Sequence, residues 1–168
     1  ASGLGLGFSK RLLQEGVRAL WMADFNPASL ERETTKLNEA YPGKVFSAVT
    51  DCSKRSEAES LIERAAAECG GLDFLFNNAG RPMTLPSDKI VIEDFENLVQ
   101  LNYMGVVYGT LAVLKIMLKQ GHGHIVNTAS CGGLLPAPFQ APYGSTKAAV
   151  IEFTRCLALE YFDTDIHF

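Results

Sequence analysis

The chain alternates between two kinds of hydrophobic pattern. Four short stretches are almost continuously apolar, which is typical of strands that helices cover on both faces of a parallel sheet. They are Val17–Ala23, Val45–Thr50, Leu72–Phe76 and His124–Thr128. Between them, apolar residues recur three or four positions apart, the spacing of a helix with one buried face. Strands that alternate with helices predict an α/β fold, a doubly wound parallel sheet with helices on both faces.

Turn and capping residues set the limits of the predicted helices. The limits are Gly7 to Glu15, Asn26-Pro27 to Pro42-Gly43, a helix that ends at Gly70-Gly71, Phe95 to Lys119, and about Tyr143 to Tyr161. In the long fourth helix the predicted core residues are Leu98, Val99, Val106, Leu111 and Leu114.

The two ends of the sequence differ from a full sheet of this kind. A doubly wound fold begins with a strand that leads into a glycine-rich loop, but no strand pattern precedes Ala1. At the other end, Asp165 to Phe168 resembles the start of a further strand. We therefore expect one incomplete domain over 1–168, whose first strand and C-terminal strands are absent. Because the first strand lies in the middle of such a sheet, its two neighbours should each lack a partner.

Composition narrows the range of functions. The net charge is −4 and the chain shows no basic cluster, which argues against binding to nucleic acid or to an anionic membrane. The apolar stretches are interrupted before they reach membrane-spanning length. Four cysteines show no metal-ligand spacing, and His122 and His124 have no third ligand in view, so no metal site is predicted. We expect a soluble, cytoplasmic protein with reduced thiols.

Glycines near the start of the chain suggest a phosphate-binding turn. Gly3, Gly5 and Gly7 lie where bare backbone allows a pyrophosphate to approach the positive end of a helix, although glycines at such spacing also serve ordinary turns. Asp24 follows nineteen residues after Gly5, at the end of the next strand. A carboxylate there can accept hydrogen bonds from an adenosine ribose and repel a 2′-phosphate, which favours NAD over NADP. The alternative is that Asp24 only begins a turn.

Four separate positions carry the candidate catalytic chemistry. Tyr143 and Lys147 are four residues apart and share one helix face, and an ammonium group beside a phenol favours the phenolate. Ser130 follows the apolar strand 124–128, at the sheet edge where ligands bind in open α/β folds. Asn102 is a polar side chain within an otherwise apolar helix. Each feature alone is more often structural, so the combination is what suggests an active site.

Together these segments resemble the short-chain dehydrogenase/reductase family, whose fold is Rossmann-like. Ser2-Gly3-Leu4-Gly5 resembles the end of the family's TGxxxGxG motif, Asn77-Asn78-Ala79-Gly80 matches NNAG, and Tyr143-Gly144-Ser145-Thr146-Lys147 matches YxxxK. The opening Thr-Gly of the first motif is missing. The resemblance covers nearly the whole chain in order and spacing, and it implies an oxidoreductase that moves a hydride between a nicotinamide cofactor and an alcohol or ketone.

The resemblance also implies residue roles. Tyr143 would be the general acid/base, Lys147 would bind the nicotinamide ribose and favour the phenolate, and Ser130 would hydrogen-bond the substrate oxygen. Asn102 would hold a water that links Lys147 to solvent. The implied cofactor-binding residues are Gly3, Leu4, Gly5, Asp24, Asp51, Cys52, Asn78, Ala79, Gly80, Tyr143 and Lys147.

Two functional hypotheses remain open from the sequence. The first is a working NAD-dependent ketoreductase or alcohol dehydrogenase of small-molecule substrates. The second is a catalytically silent fragment that binds a dinucleotide or associates with itself. The resemblance further implies a homodimer or homotetramer built on the long helix around Asn102 and on the helix after Tyr143.

Overall fold

A computed structural model describes all residues from Ala1 to Phe168. Its helices are α1 (Gly3–Gln14), α2 (Pro27–Ala40), α3 (Arg55–Cys69), α4 (Ile92–Val99), α5 (Gly105–Gln120) and α6 (Ala141–Glu160). Its strands are β1 (Leu20–Asp24), β2 (Val45–Val49), β3 (Phe74–Asn77), β4 (Gly123–Asn127) and β5 (Ile166–His167). Helices and strands alternate, so the predicted α/β class is confirmed.

All strand pairs are parallel, but the sheet is in two parts. β1 pairs with β2, with Asp24 opposite Val49. β3, β4 and β5 form the second part in that order, with Asn77 opposite Asn127. β1 and β3 each have one edge without a hydrogen-bonded neighbour, as the sequence predicted for a doubly wound sheet that lacks its central strand.

Each part of the sheet has its own hydrophobic core. The helices cover the sheet because their apolar residues recur on one face. One core joins α1, α2, β1 and β2 through Leu13, Met22, Leu30, Leu37 and Val45. The other joins α3, α5, β4 and β5 through Ile62, Val113, Leu114, Met117, Ile125 and Ile166.

The first helix begins four residues earlier than predicted. α1 starts at Gly3 and not at Gly7, so the glycines form its first two turns and not a loop before it. Glycine disfavours helix interiors, which is why the sequence suggested a later start. The second helix was predicted correctly, because Asn26 caps it by accepting a hydrogen bond from the Ser29 N–H at 3.0 Å.

The long helix differs from its prediction in three respects. It runs without a break over residues 92–120, with a π-helical turn at Gln100–Met104. Leu111 is exposed and not part of the core, whereas Leu98, Val106 and Leu114 are buried. By length and mean hydropathy this helix could cross a membrane, contrary to the expectation that no apolar stretch is long enough. Half of its most apolar window is buried inside the protein.

Candidate active site

The first turn of α1 exposes backbone N–H groups at one end of the sheet. Ser2 occupies the cap position, but its side chain makes no capping hydrogen bond. Gly3 has a left-handed φ of 52°, which favours glycine there. Leu4 is exposed, while Gly5 is half-buried. The unsatisfied N–H groups and the positive end of the helix dipole can bind an anionic group at this point.

Asp24 ends β1 at the same edge of the sheet. Its carboxylate accepts a hydrogen bond from the Asn26 N–H at 2.9 Å. Partial burial raises the pKa of Asp24, while hydrogen bonds from the backbone N–H groups of Asn26 and Phe25 lower it. Asp24 is therefore ionised at neutral pH, as both the ribose-binding hypothesis and the simple turn require.

The end of β3 connects the first turn of α1 with the predicted catalytic group. A Cβ atom on Gly5 would lie 2.9 Å from Nδ2 of Asn78. A Cβ atom on Gly80 would lie 3.1 Å from Oδ1 of Asn102 and 3.6 Å from Nζ of Lys147. Ala79, between these residues, is exposed. Residues 78–80 thus form a strip of small side chains and bare backbone, which fits a dinucleotide lying between α1 and Lys147.

Asn102 is completely buried in the π-helical turn of the long helix. Its side-chain amide forms hydrogen bonds with both the N–H and the carbonyl group of Arg81. Oδ1 accepts from the Arg81 N–H at 2.9 Å, and Nδ2 donates to the Arg81 carbonyl at 2.9 Å. Nδ2 also donates to Oγ1 of Thr146 at 3.3 Å. Asn102 therefore joins the long helix to the segment after β3 and to the first turns of α6.

Lys147 is buried on α6, with only 4% of its surface exposed. Nζ donates to the Thr128 carbonyl at 2.7 Å, at the carboxyl end of β4. Burial lowers the pKa of Lys147 from its usual value. The ammonium group is held at the point where residues 78–80 meet α6.

Ser130 and Tyr143 lie on either side of Gly132. A Cβ atom on Gly132 would be 3.6 Å from Oγ of Ser130 and 3.5 Å from Cε1 of Tyr143. Oγ of Ser130 accepts from the Gly132 N–H at 3.1 Å. A Cβ atom on Gly144 would lie 2.9 Å from the Gly132 carbonyl oxygen, so the turn after Ser130 packs closely on α6.

Asp51 and Cys52 follow β2 and make local contacts. The Ser53 hydroxyl donates to Oδ1 of Asp51 at 2.6 Å, and this hydrogen bond lowers the pKa of Asp51. The Cys52 carbonyl lies against Gly105, where a Cβ atom would be 2.9 Å away. The structure therefore places Asp51 in a turn before α3 and Cys52 against the start of α5. Their role beside an adenine ring stays a prediction.

Some contacts of this site could not be read from the sequence. The Thr128 carbonyl and the Arg81 backbone hold Lys147 and Asn102, but a backbone group has no signature in a sequence. Thr146 is also part of the site, since its hydroxyl donates to the Tyr143 carbonyl at 2.8 Å. Its place inside the YxxxK segment was the only available signal. No group of three or more His, Cys, Asp or Glu side chains is arranged to hold a metal ion.

The whole chain, residues 1–168, matches the family model described as short chain dehydrogenase. The protein belongs to this family. Among curated relatives, it is 35% identical over 162 residues to levodione reductase of Leifsonia aquatica, covering 95% of this chain and 60% of that protein. It is 33% identical over 168 residues to 3beta-hydroxysteroid dehydrogenase 2 of Eggerthella lenta, covering 99% of this chain and 64% of that one.

Solved structures agree with the family assignment. A variant of actinorhodin polyketide ketoreductase with NADPH has a TM-score of 0.93 and 35% identity, covering 98% of this chain and 63% of that one. A short chain dehydrogenase/reductase from Burkholderia phymatum in complex with NAD has a TM-score of 0.93 and 30% identity, covering 98% and 59%. The chain thus spans about 60% of the length of these relatives.

Proposed function

We propose that the protein is a nicotinamide-dependent oxidoreductase that reduces a carbonyl or oxidises an alcohol. The observation that carries this proposal is the position of Lys147. Its buried ammonium lies beside Gly80 and donates to the carbonyl of Thr128, which is two residues before Ser130 in the sequence. Lys147 itself follows Tyr143 by four residues on α6. No carboxylate pairs with this ammonium, and burying an unpaired charge is costly, which favours a chemical role for Lys147.

Each side chain has a defined part in the proposed reaction. A bound nicotinamide cofactor supplies or accepts the hydride. Tyr143 donates a proton to the developing alkoxide, or accepts one in the reverse direction, and the ammonium of Lys147 favours its phenolate form. The Ser130 hydroxyl hydrogen-bonds the substrate oxygen. Asn102 fixes the chain around residue 81 and the start of α6, and a water beside it would carry protons from Lys147 to solvent.

For the cofactor we propose NAD in preference to NADP. The ionised carboxylate of Asp24 at the end of β1 would accept hydrogen bonds from the ribose and repel a 2′-phosphate. Relatives do not decide the question, because the two solved structures described above hold NADPH and NAD. Asp24 is the feature of this chain that favours NAD.

For the substrate we propose an uncharged compound with an apolar body. Residues 131–142, between Ser130 and Tyr143, contain no charged side chain. Leu134, Leu135 and Phe139 are exposed there. Phe139 has a φ of 66°, a strained conformation for a bulky residue, and its carbonyl accepts from the Leu85 N–H at 2.9 Å. An apolar segment held in this way beside the catalytic group suits a neutral, apolar ketone better than an anionic oxo acid.

We also propose that the protein is cytoplasmic and forms a homodimer or homotetramer. Leu111 and Leu118 on α5 and Leu159 on α6 are exposed, although each lies on a helix whose other face is in the core. Large apolar side chains at helix surfaces are suited to a subunit interface. Nucleic acid and membrane are not among the proposed partners.

The proposed function is tested by turnover. The purified chain is incubated with NADH or NADPH and either a cyclic diketone or a 3-oxo acid, and the loss of reduced cofactor absorbance is followed. We expect oxidation of NADH with the neutral ketone. The alternative, a silent dinucleotide-binding or self-association module, predicts no turnover with any of these pairs.

A further inference from the structure

A chain of amide and hydroxyl side chains connects α6 with the ends of β3 and β4. Asn127, the last residue of β4, accepts at Oδ1 from Nδ2 of Asn77 at 2.9 Å and from Oγ1 of Thr110 at 3.3 Å. Its Nδ2 donates to Oγ1 of Thr154 on α6 at 3.0 Å. Thr154 in turn donates to the Val150 carbonyl at 2.7 Å. The proposed reaction assigns no role to any of these side chains.

The direction of each hydrogen bond is fixed. The single proton of the Thr154 hydroxyl is directed to the Val150 carbonyl, so this hydroxyl can only accept from Asn127. Asn127 must then present its NH₂ group to α6 and its oxygen to β3. Asn77 fits the same pattern because Gly109 leaves room for its side chain, where a Cβ atom would collide with Oδ1. The network therefore has one arrangement, which links the four elements β3, β4, α5 and α6.

Consecutive residues of the β4 segment hold α6 at two points. Lys147 donates to the Thr128 carbonyl at 2.7 Å, and Thr154 accepts from Asn127 at 3.0 Å. Lys147 and Thr154 are seven residues apart, so they share one helix face and are separated by about 10 Å along the axis. Two attachments so spaced fix the rotation and the axial position of a helix against a strand end. With one of the two attachments removed, the strand end constrains the rotation of the helix less.

We propose that Thr154, acting through Asn127, is a positioning residue that sets the register of α6 against β4. The register determines where Tyr143 lies relative to Ser130. This inference rests on the proposed function of that site. The turn after Ser130 packs tightly against α6, because a Cβ atom on Gly133 would lie 2.7 Å from the Lys147 carbonyl carbon. A small shift of α6 therefore moves the general acid/base relative to the substrate oxygen.

The first test compares three variants by steady-state kinetics. Thr154→Val removes the hydroxyl at nearly constant shape, and Thr154→Ser restores it. Thr164→Val is the control, because that hydroxyl also donates to a backbone carbonyl, of Tyr161 at 2.8 Å, and accepts one N–H, of Ile166 at 3.2 Å, yet contacts no part of the site. A misplacement of 1 Å can cost about a hundredfold in rate, so we expect Thr154→Val to lower kcat roughly tenfold or more, with the KM for the nicotinamide cofactor nearly unchanged.

The variants also define the results that would overturn the inference. Thr154→Ser should recover most of the lost kcat, and Thr164→Val should behave as the unaltered protein. The proposal is wrong if Thr154→Val and Thr164→Val have the same kcat. It is equally wrong if the loss in Thr154→Val is in the cofactor KM alone, or if Thr154→Ser is as slow as Thr154→Val.

A second readout does not need turnover. Two lysines each donate a hydrogen bond from Nζ to a backbone carbonyl: Lys147 to Thr128 at 2.7 Å and Lys44 to Val17 at 3.2 Å. Each is reacted with an amine-acylating reagent, and its labelling rate is followed by peptide mass spectrometry. We expect Thr154→Val to raise the rate at Lys147 severalfold and to leave Lys44 unchanged. Equal rates at Lys147 in both proteins, or a parallel rise at both lysines, overturn the positioning role. A chain without redox activity would refute the proposed function and still leave this measurement decisive.

Discussion

Replacing Asn102 by leucine removes the polar connection between the long helix, the segment after β3 and α6. The side chain is fully buried, and leucine has the same branching at Cγ with bulkier methyl groups, so the substitution opens no cavity. It removes two hydrogen bonds of 2.9 Å to the Arg81 backbone and one of 3.3 Å to Thr146. The π-helical turn then has no side chain that holds it against residue 81.

The magnitude follows from those three bonds. A typical intramolecular hydrogen bond contributes about 1 kcal/mol net, and the 3.3 Å bond contributes less, which gives a loss of about 2 to 3 kcal/mol. Arg81 lies at the surface, so water can replace part of its lost bonds, and the lower end of that range is expected. For a chain of this size, about 2 kcal/mol corresponds to a fall in Tm of roughly 4 to 8 °C.

Thermal unfolding by circular dichroism measures this effect. Asn102→Asp is a useful companion, because it keeps an acceptor for the Arg81 N–H but directs carboxylate oxygen at the Arg81 carbonyl. It should be less stable than Asn102→Leu at neutral pH and recover as the pH falls and the carboxyl becomes protonated. A fall in Tm below about 1 °C for Asn102→Leu would refute the reasoning, since at least two buried bonds would then contribute nothing.

Three further substitutions have definite expected outcomes. Asp24→Ser should lower the ratio of kcat/KM with NADH to kcat/KM with NADPH by about tenfold or more, because it removes the carboxylate that repels a 2′-phosphate. Gly5→Ala should weaken NADH binding by roughly tenfold with little change in Tm, because the added Cβ at 2.9 Å must displace the amide of Asn78. Lys147→Met should abolish turnover without lowering Tm at neutral pH. Burial depresses the pKa of Lys147 in the folded state, so between the folded and unfolded pKa values the unfolded chain binds more protons. The free energy of unfolding of the unaltered protein should therefore rise with pH in that interval. Urea denaturation at neutral and alkaline pH checks this sign, and Lys147→Met should show a smaller rise.

The alternation of strands and helices could be predicted because it depends on local spacing alone. The start of α1 could not be predicted, because the low helix propensity of glycine applies to helix interiors. Gly3 and Gly5 lie in the first turn, where the N–H groups have no intrahelical partners in any helix. The π-helical turn contains Asn102, whose hydrogen bonds reach a backbone segment twenty-one residues away, and no local pattern records such contacts. Leu111 is exposed because α5 is apolar on more than one face, and spacing does not tell core from surface there.

The members of the candidate site could be predicted to a similar degree. Side chains that follow parallel strands meet at one sheet edge, and this predicted Ser130 at that edge. Lys147 was joined to the site by its spacing of four residues from Tyr143 and by the family resemblance. Their roles stay predictions. The carbonyl of Thr128 as partner of Lys147, and the link from Asn127 to Thr154, depend on how α6 rests on β4. Such contacts appear only when the helix is docked.

The central claim is that Tyr143 transfers the proton in a nicotinamide-dependent reaction, and Tyr143→Phe tests it most directly. NADH binding is followed in both proteins by energy transfer from Trp21, and turnover is measured with a neutral cyclic ketone. The account predicts equal NADH affinity and a loss of kcat of about 10² to 10⁴ in the variant, the usual contribution of a general acid/base. If Tyr143→Phe lowers kcat by no more than about twofold, far less than the expected loss, the account is contradicted.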